Sequence, residues 1–137
     1  MDKRKVVNEI QTHLAEELAT LLPAIEAGKV DPQSGGRIRE IQSQLTMYKF
    51  MPLREYGSDD VICPTTLVEL ELHGRHAYYF IVPSGGGLIM KIDDHPVQVI
   101  TPYSPLGEAL LGKRVGERVS VAARGAVARD YRIVSLT

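Results

Sequence analysis

Cys63, His73 and His76 are the first residues whose types suggest chemistry, since a thiolate and imidazoles are zinc ligands and a thiol beside an imidazole is a nucleophilic pair. The set is short of ligands. The two histidines bracket a turn composition, His73-Gly74-Arg75-His76, and no second cysteine or carboxylate cluster completes a tetrahedral site. Asp93 and Asp94 have the composition of paired acids, yet Asp93-Asp94-His95-Pro96 reads as a solvated turn. Gly85-Gly86-Gly87 lacks the lysine and the serine or threonine of a phosphate loop and opens no helix, so it reads as a flexible strand connection. No metal or other cofactor is expected. Glu26 and Asp31 are placed differently: both fall at the tip of a helical arm, where a carboxylate is presented far from the rest of the chain. Asp31 is also a natural N-cap, because Pro32 follows it.

The arm is built by two amphipathic patterns. Val7, Ile10, Leu14, Leu18, Leu21 and Ile25 recur at intervals of three or four, with polar residues elsewhere on the wheel. Pro23 removes one backbone donor, which predicts a kink or a loosened turn, and Gly28 ends the helix. Ile38, Ile41, Leu45 and Tyr48 form a second stripe that stops near Met51, ahead of Pro52. Narrow stripes joined by a short turn predict an antiparallel helical hairpin over residues 1–52. About 18 residues of the second helix can pair, a reach of roughly 27 Å.

Residues 53–64 are rich in turn formers and read as a linker, and from Leu67 the period changes to two. Val68, Leu70 and Leu72 alternate with Glu69 and Glu71, and further strand patterns follow at Ala77–Val82, Leu88–Ile92, Val97–Thr101, Arg118–Ala122 and Val127–Val134, with Arg124-Gly125 as the last turn. One short helix interrupts them. Ser104 caps it, Pro105 takes its first position and Gly112 suits the left-handed residue after its last turn. Leu106, Ala109, Leu110 and Leu111 give it an apolar face that should plug one side of the sheet. The fold class is therefore α+β, a helical hairpin followed by an antiparallel sheet domain at residues 65–137.

Composition limits the partners. Sixteen Lys and Arg against 17 Asp and Glu leave a net charge of −1, so no global field draws the chain to nucleic acid or to an anionic membrane. Lys113, Arg114, Arg118, Arg124, Arg129 and Arg132 crowd the last part of the sequence, but without a recognition motif any DNA or RNA contact would be weak and salt-sensitive. One cysteine makes no internal disulfide, the first residues lead into an amphipathic pattern rather than an apolar signal core, and no apolar run reaches membrane-spanning length. A cytoplasmic protein is expected.

Two stretches carry a family resemblance. Gly36-Arg37-Ile38-Arg39-Glu40-Ile41-Gln42-Ser43-Gln44-Leu45 is similar to the late part of the second coiled-coil helix in bacterial Gre transcript cleavage factors. Val99 to Lys113, with Val115-Gly116-Glu117, resembles the family's Ser-Pro-hydrophobic-Gly/Ala-x-Ala-Leu-hydrophobic-Gly signature. The likeness implies an FKBP-like C-terminal domain that docks on RNA polymerase at the rim of its secondary channel, with the hairpin pointing inward. Carried over residue by residue, it nominates Ser104, Pro105, Leu106 and Gly107, with neighbouring Leu110 and Lys113.

The arm departs from the Gre pattern. Gre cleavage factors present Asp-Leu-x-Glu-Asn at the tip, whose carboxylates help hold a second magnesium in the polymerase active site. No such run lies between Gly28 and Gly36, and the arm reads as several turns shorter, as in the related Rnk-type proteins. The expectation is a polymerase-binding regulator without catalysis of its own; the alternative is a cleavage factor using Glu26 and Asp31. The implied fold is shared with peptidyl-prolyl isomerases, but only Tyr78, Tyr79, Phe80, Tyr103 and Tyr131 supply aromatics to the domain, which argues against that activity.

Overall fold

The computed structural model describes residues 1–26, 28, 32–122 and 127–137, the side chains of 24–26 and 32–34 excepted. It divides into two compact units, Arg4–Pro52 on one hand and Met1–Lys3 with Leu53–Thr137 on the other.

The first unit is the helical hairpin, α1 (Lys3–Glu26) and α2 (Pro32–Phe50). Val7, Ile10 and Leu14 on α1 and Ile38, Ile41 and Tyr48 on α2 are buried, as their spacing predicts, and Val6 joins them. Leu18, Leu21 and Leu45 are only half-buried. Gln44, three residues after Ile41 and four before Tyr48, is buried, whereas Leu45, at the converse four-and-three spacing on the same stripe, is half-buried. Its amide donates to Glu40 Oε1 at 3.2 Å. The helix α1 continues through Pro23 to Glu26. Pro23 is exposed, so water can satisfy the carbonyl one turn back that its ring leaves without a donor. Gly28 adopts φ +73°, the left-handed conformation that follows a helix end. At the other end α2 stops at Phe50, leaving Met51 outside the helix ahead of Pro52.

The second unit holds six strands: β1 (Leu67–Leu72), β2 (Arg75–Ile81), β3 (Ile89–Ile92), β4 (His95–Ile100), β5 (Arg118–Val121) and β6 (Arg129–Leu136). They form one sheet in the order β3-β4-β2-β1-β6-β5. Neighbouring strands are antiparallel except β2 and β4, which run parallel with Phe80 opposite Val99. The expected antiparallel sheet thus carries one parallel pair, and the chain path explains it. After β2, residues 82–88 cross beyond the place that β4 will fill, β3 runs back at the edge, and the tight turn Ile92-Asp93-Asp94-His95 returns β4 in the direction of β2. Asp93 and Asp94 both have positive φ, +51° and +64°, as a two-residue hairpin turn of this hand requires.

Alternation sorts the sheet's residues onto two faces. One face carries Val68, Leu70, Ile81, Ile100, Ile133 and Leu136, all buried in a common core. Between β4 and β5 the short helix α3 (Pro105–Leu110) covers part of that face, with Leu110 in the core and Leu106 and Ala109 packed against it. The other face is apolar at Leu67, Phe80, Val97, Val99, Met90 and Ile92, which are buried, and polar toward Glu69, Glu71, His76 and Arg132. There His76 Nδ1 and Ser135 Oγ each lie 2.8 Å from the Glu69 carboxylate, while Arg132 donates to Glu71.

Candidate docking surface at the Ser104 helix

The local sequence explains why α3 exists although six residues is short for a helix. Ser104 has extended φ and ψ of −70° and 153°, and its Oγ accepts from the Gly107 N–H at 3.1 Å while donating to the Thr101 carbonyl at 2.8 Å. Pro105 presets the first helical φ. Gly107 is required by packing: a Cβ there would lie 1.9 Å from the Thr101 carbonyl oxygen. At the far end the Leu111 N–H reaches the Gly107 carbonyl at 3.1 Å, and Gly112 takes φ +80°. Gly112 then donates to Ile62 O and Ile62 to Lys113 O, each at 2.8 Å. The helix is therefore held by Thr101 at its start and by Ile62 at its end.

That construction divides the nominated residues. Leu110 is 0% exposed and Gly107 is buried, so both hold the helix in place and offer no side-chain surface to a partner. Leu106 is half-buried against the core, and Ser104 is half-buried and engaged in the cap. Pro105 and Lys113 are exposed. Beside them stands Tyr103, 85% exposed, which the sequence reading did not nominate. Its exposure had a legible cause. A residue preceding an N-cap ordinarily packs on the fourth helical residue, and here that residue is Glu108, which gives an aromatic ring no apolar seat.

The arm-tip candidates are not part of this surface: Asp31, and the side chain of Glu26, lie outside the described residues. Nor does the structure gather the other chemical candidates. Cys63 Sγ lies 3.6 Å from Thr66 Oγ1, His73 occupies the β1–β2 turn and His76 pairs with Glu69. Among the described residues no three His, Cys, Asp or Glu side chains are grouped as a metal site would need. Gly86 and Gly87 run beside β4, Gly87 donating to Val99 O at 2.8 Å, so this stretch is tied to the sheet edge. The basic residues are scattered. Arg114 donates to Asp59 O at 2.7 Å, Arg118 and Arg132 face each other across β5 and β6, and Arg129 lies on the opposite face; Arg124 is outside the described residues.

Lys3, grouped with the sheet unit, was not anticipated. It is 5% exposed; its Nζ donates to Arg54 O at 2.6 Å and sits 4.5 Å above the ring of Tyr56. Burial lowers its pKa from 10.5 to about 8, while the charges of Cys63 and Glu55 pull the other way. Within the sheet unit, the described residues leave the end of the core face beyond α3 open. It forms a cavity of about 810 Å³ with a floor of Leu70, Leu72 and Ala77 and a wall where Tyr79 and Tyr131 meet edge to face, 6.3 Å between centroids. No helix among the described residues is long and apolar enough to cross a membrane.

Residues 58–137 match the family described as Transcription elongation factor, GreA/GreB, C-term. Transcription elongation factor GreA of Thermotoga neapolitana is 31% identical over 141 residues, covering 98% of this chain and 85% of that protein. The same factor from Thermotoga maritima is 30% identical over the same shares of both chains. Among solved structures, GreA factor homolog 1 (Gfh1) of Thermus thermophilus is 22% identical, covers 97% of this chain and 93% of that one, and has a TM-score of 0.46.

Proposed function

The chain belongs to the GreA/GreB family of transcription elongation factors, and from that membership we propose that it is a cytoplasmic regulator that binds RNA polymerase at the rim of the secondary channel without catalysing a reaction itself. The exposed edge of the Ser104 helix carries this reading: Pro105 on the helix, and Tyr103 and Lys113 just before and after it, are presented on a segment held at both ends, so a partner meets a surface already ordered. Ser104, Gly107, Leu106 and Leu110 serve the contact by fixing that helix. Residues 1–52 act as a short arm at the channel entrance, 53–64 as the linker and 65–137 as the docking domain.

The noncatalytic part rests on the arm's sequence. A cleavage factor of this family supplies carboxylates to a metal in the polymerase active site, and residues 28–36 contain only Asp31 where Gre factors have an acidic run. Such a protein competes with true cleavage factors for the rim, in the manner of Rnk-type proteins. The test is RNA cleavage in stalled, backtracked elongation complexes, run beside polymerase binding. Binding that falls with Tyr103→Ala and Pro105→Ala, with no stimulated cleavage, supports the reading. Cleavage that is lost with Glu26→Gln or Asp31→Asn overturns it and makes the protein a short-armed cleavage factor.

A further inference from the structure

We propose that the open end of the core face, beyond α3, is a second binding site that takes an extended acidic peptide and seats one aliphatic or aromatic side chain between two carboxylates. The cavity's residues come from β1, β2, β4, β6 and the β1–β2 turn, and none from α3 or its flanks, so it is separate from the docking surface described above. Its volume of about 810 Å³ is that of a site for a small ligand or a few residues of peptide.

Its chemistry selects the occupant. Leu70, Leu72, Ala77, Pro96, Tyr79 and Tyr131 provide an apolar interior, and the polar lining is Arg75, Arg129, His73 and His76, with no carboxylate among the described residues. His76 is already paired with Glu69. Arg75 and Arg129 are exposed and, among the described residues, form no ion pair, whereas Arg132 and Arg37 are both matched to glutamates. Two unmatched guanidinium groups beside an apolar trough complement anionic groups flanking an apolar one.

Spacing favours a peptide over a phosphate. Arg75 lies on β2 level with Leu72, and Arg129 lies on β6 three residues from Arg132, the partner of Glu71, with β1 between the two strands; two strand spacings and an offset of about two residues put their backbones about 12 Å apart. One phosphate cannot bridge that gap, while carboxylates four residues apart on an extended chain point to the same side as the side chain midway between them and span about 13 Å. The tyrosine rings are turned on each other at 77°, which leaves no parallel pair of faces to sandwich a base.

The experiment is a fluorescence-anisotropy titration of the full chain with a labelled peptide, Gly-Glu-Gly-Phe-Gly-Glu-Gly, and with the same peptide carrying lysines for glutamates. Binding of the acidic peptide, weakened at least tenfold by Arg75→Glu or by Arg129→Glu and by raising the salt, is the expected result. Ala77→Leu, which fills the floor, should lower affinity similarly, and Arg75→Lys should retain more affinity than Arg75→Glu; circular dichroism checks that each variant is folded. Equal binding of the lysine peptide, indifference to both charge reversals, or displacement by millimolar inorganic phosphate overturns the proposal. So does the finding that a second copy of this chain, rather than the peptide, fills the cavity. The titration contains no polymerase, so its failure leaves the channel-rim reading standing, and the reverse also holds.

Discussion

Arg37 on α2 clasps Glu17 on α1 with two hydrogen bonds, Nε to Oε1 and Nη2 to Oε2, both at 2.7 Å. Planar guanidinium and carboxylate groups match in this geometry, so the pair fixes which turns of the two helices face each other as well as holding them together. Arg37 also reaches Glu40 at 3.2 Å on its own helix.

Because the Arg37 hydrogen bonds hold the Glu17 carboxyl below its ordinary pKa, the pair adds stability above the usual carboxylate range and loses it as pH falls through the depressed value. Both groups are more than a third exposed, which limits the contribution to about 0.5 kcal/mol. A double-mutant cycle of Glu17→Gln and Arg37→Met, followed by urea unfolding, should show a coupling of that size at pH 7 that fades as acidification protonates Glu17. A coupling that does not depend on pH would refute this account.

Gly107→Ala should be among the most damaging single substitutions in the sheet unit. The added Cβ would meet the backbone oxygen of Thr101 at 1.9 Å, and backbone cannot swing away as a flexible side chain can. A loss of more than about 2 kcal/mol is expected, against about 1 kcal/mol for Ser104→Ala, which removes the cap and the hydroxyl's bond to the Thr101 carbonyl but adds no clash. Thermal unfolding of the two variants ranks them, and the opposite order would show that the close approach relaxes freely.

Lys3 gives the protein an alkaline signature. Its folded pKa of about 8 lies below its ordinary 10.5, so between those values the unfolded chain holds more protons and stability rises with pH. Cys63, Glu55, Arg54 and Tyr56 are the charged or titratable groups around it. The stability difference between Lys3→Met and the parent should shift by on the order of 2 kcal/mol from pH 7.5 to 9.5, in the parent's favour as pH rises. A flat difference would mean that the ammonium is not desolvated.

Tyr103→Ala should leave the unfolding midpoint within about 0.5 kcal/mol of the parent, since the ring covers no core, yet weaken polymerase binding at least tenfold. Leu110→Ala is the control. It should cost about 2–5 kcal/mol of stability because its side chain is fully buried, and affect binding only through the fold. Equal binding by Tyr103→Ala and the parent would move the contact elsewhere.

Local pattern carried much of the architecture. The three-and-four spacing of Ile10, Leu14, Ile38 and Ile41 marks the hairpin, the alternation of Val68 and Leu70 with Glu69 marks a half-buried strand, and Ser104, Pro105 and Gly112 mark both ends of α3. Each of these depends on neighbours within a few residues, which is why sequence alone determined them. The tertiary structure decided what depends on distant partners. It made β4 parallel to β2, put Gln44 rather than Leu45 in the buried stripe, and set Gly107 so close to Thr101 that a side chain there would force the backbone to shift. It also buried Lys3 beneath its contacts with Arg54 and Tyr56. Periodicity tells which residues share a face of one element, but burial and close approach are set by what packs on that face, and that is supplied by chain far away in sequence.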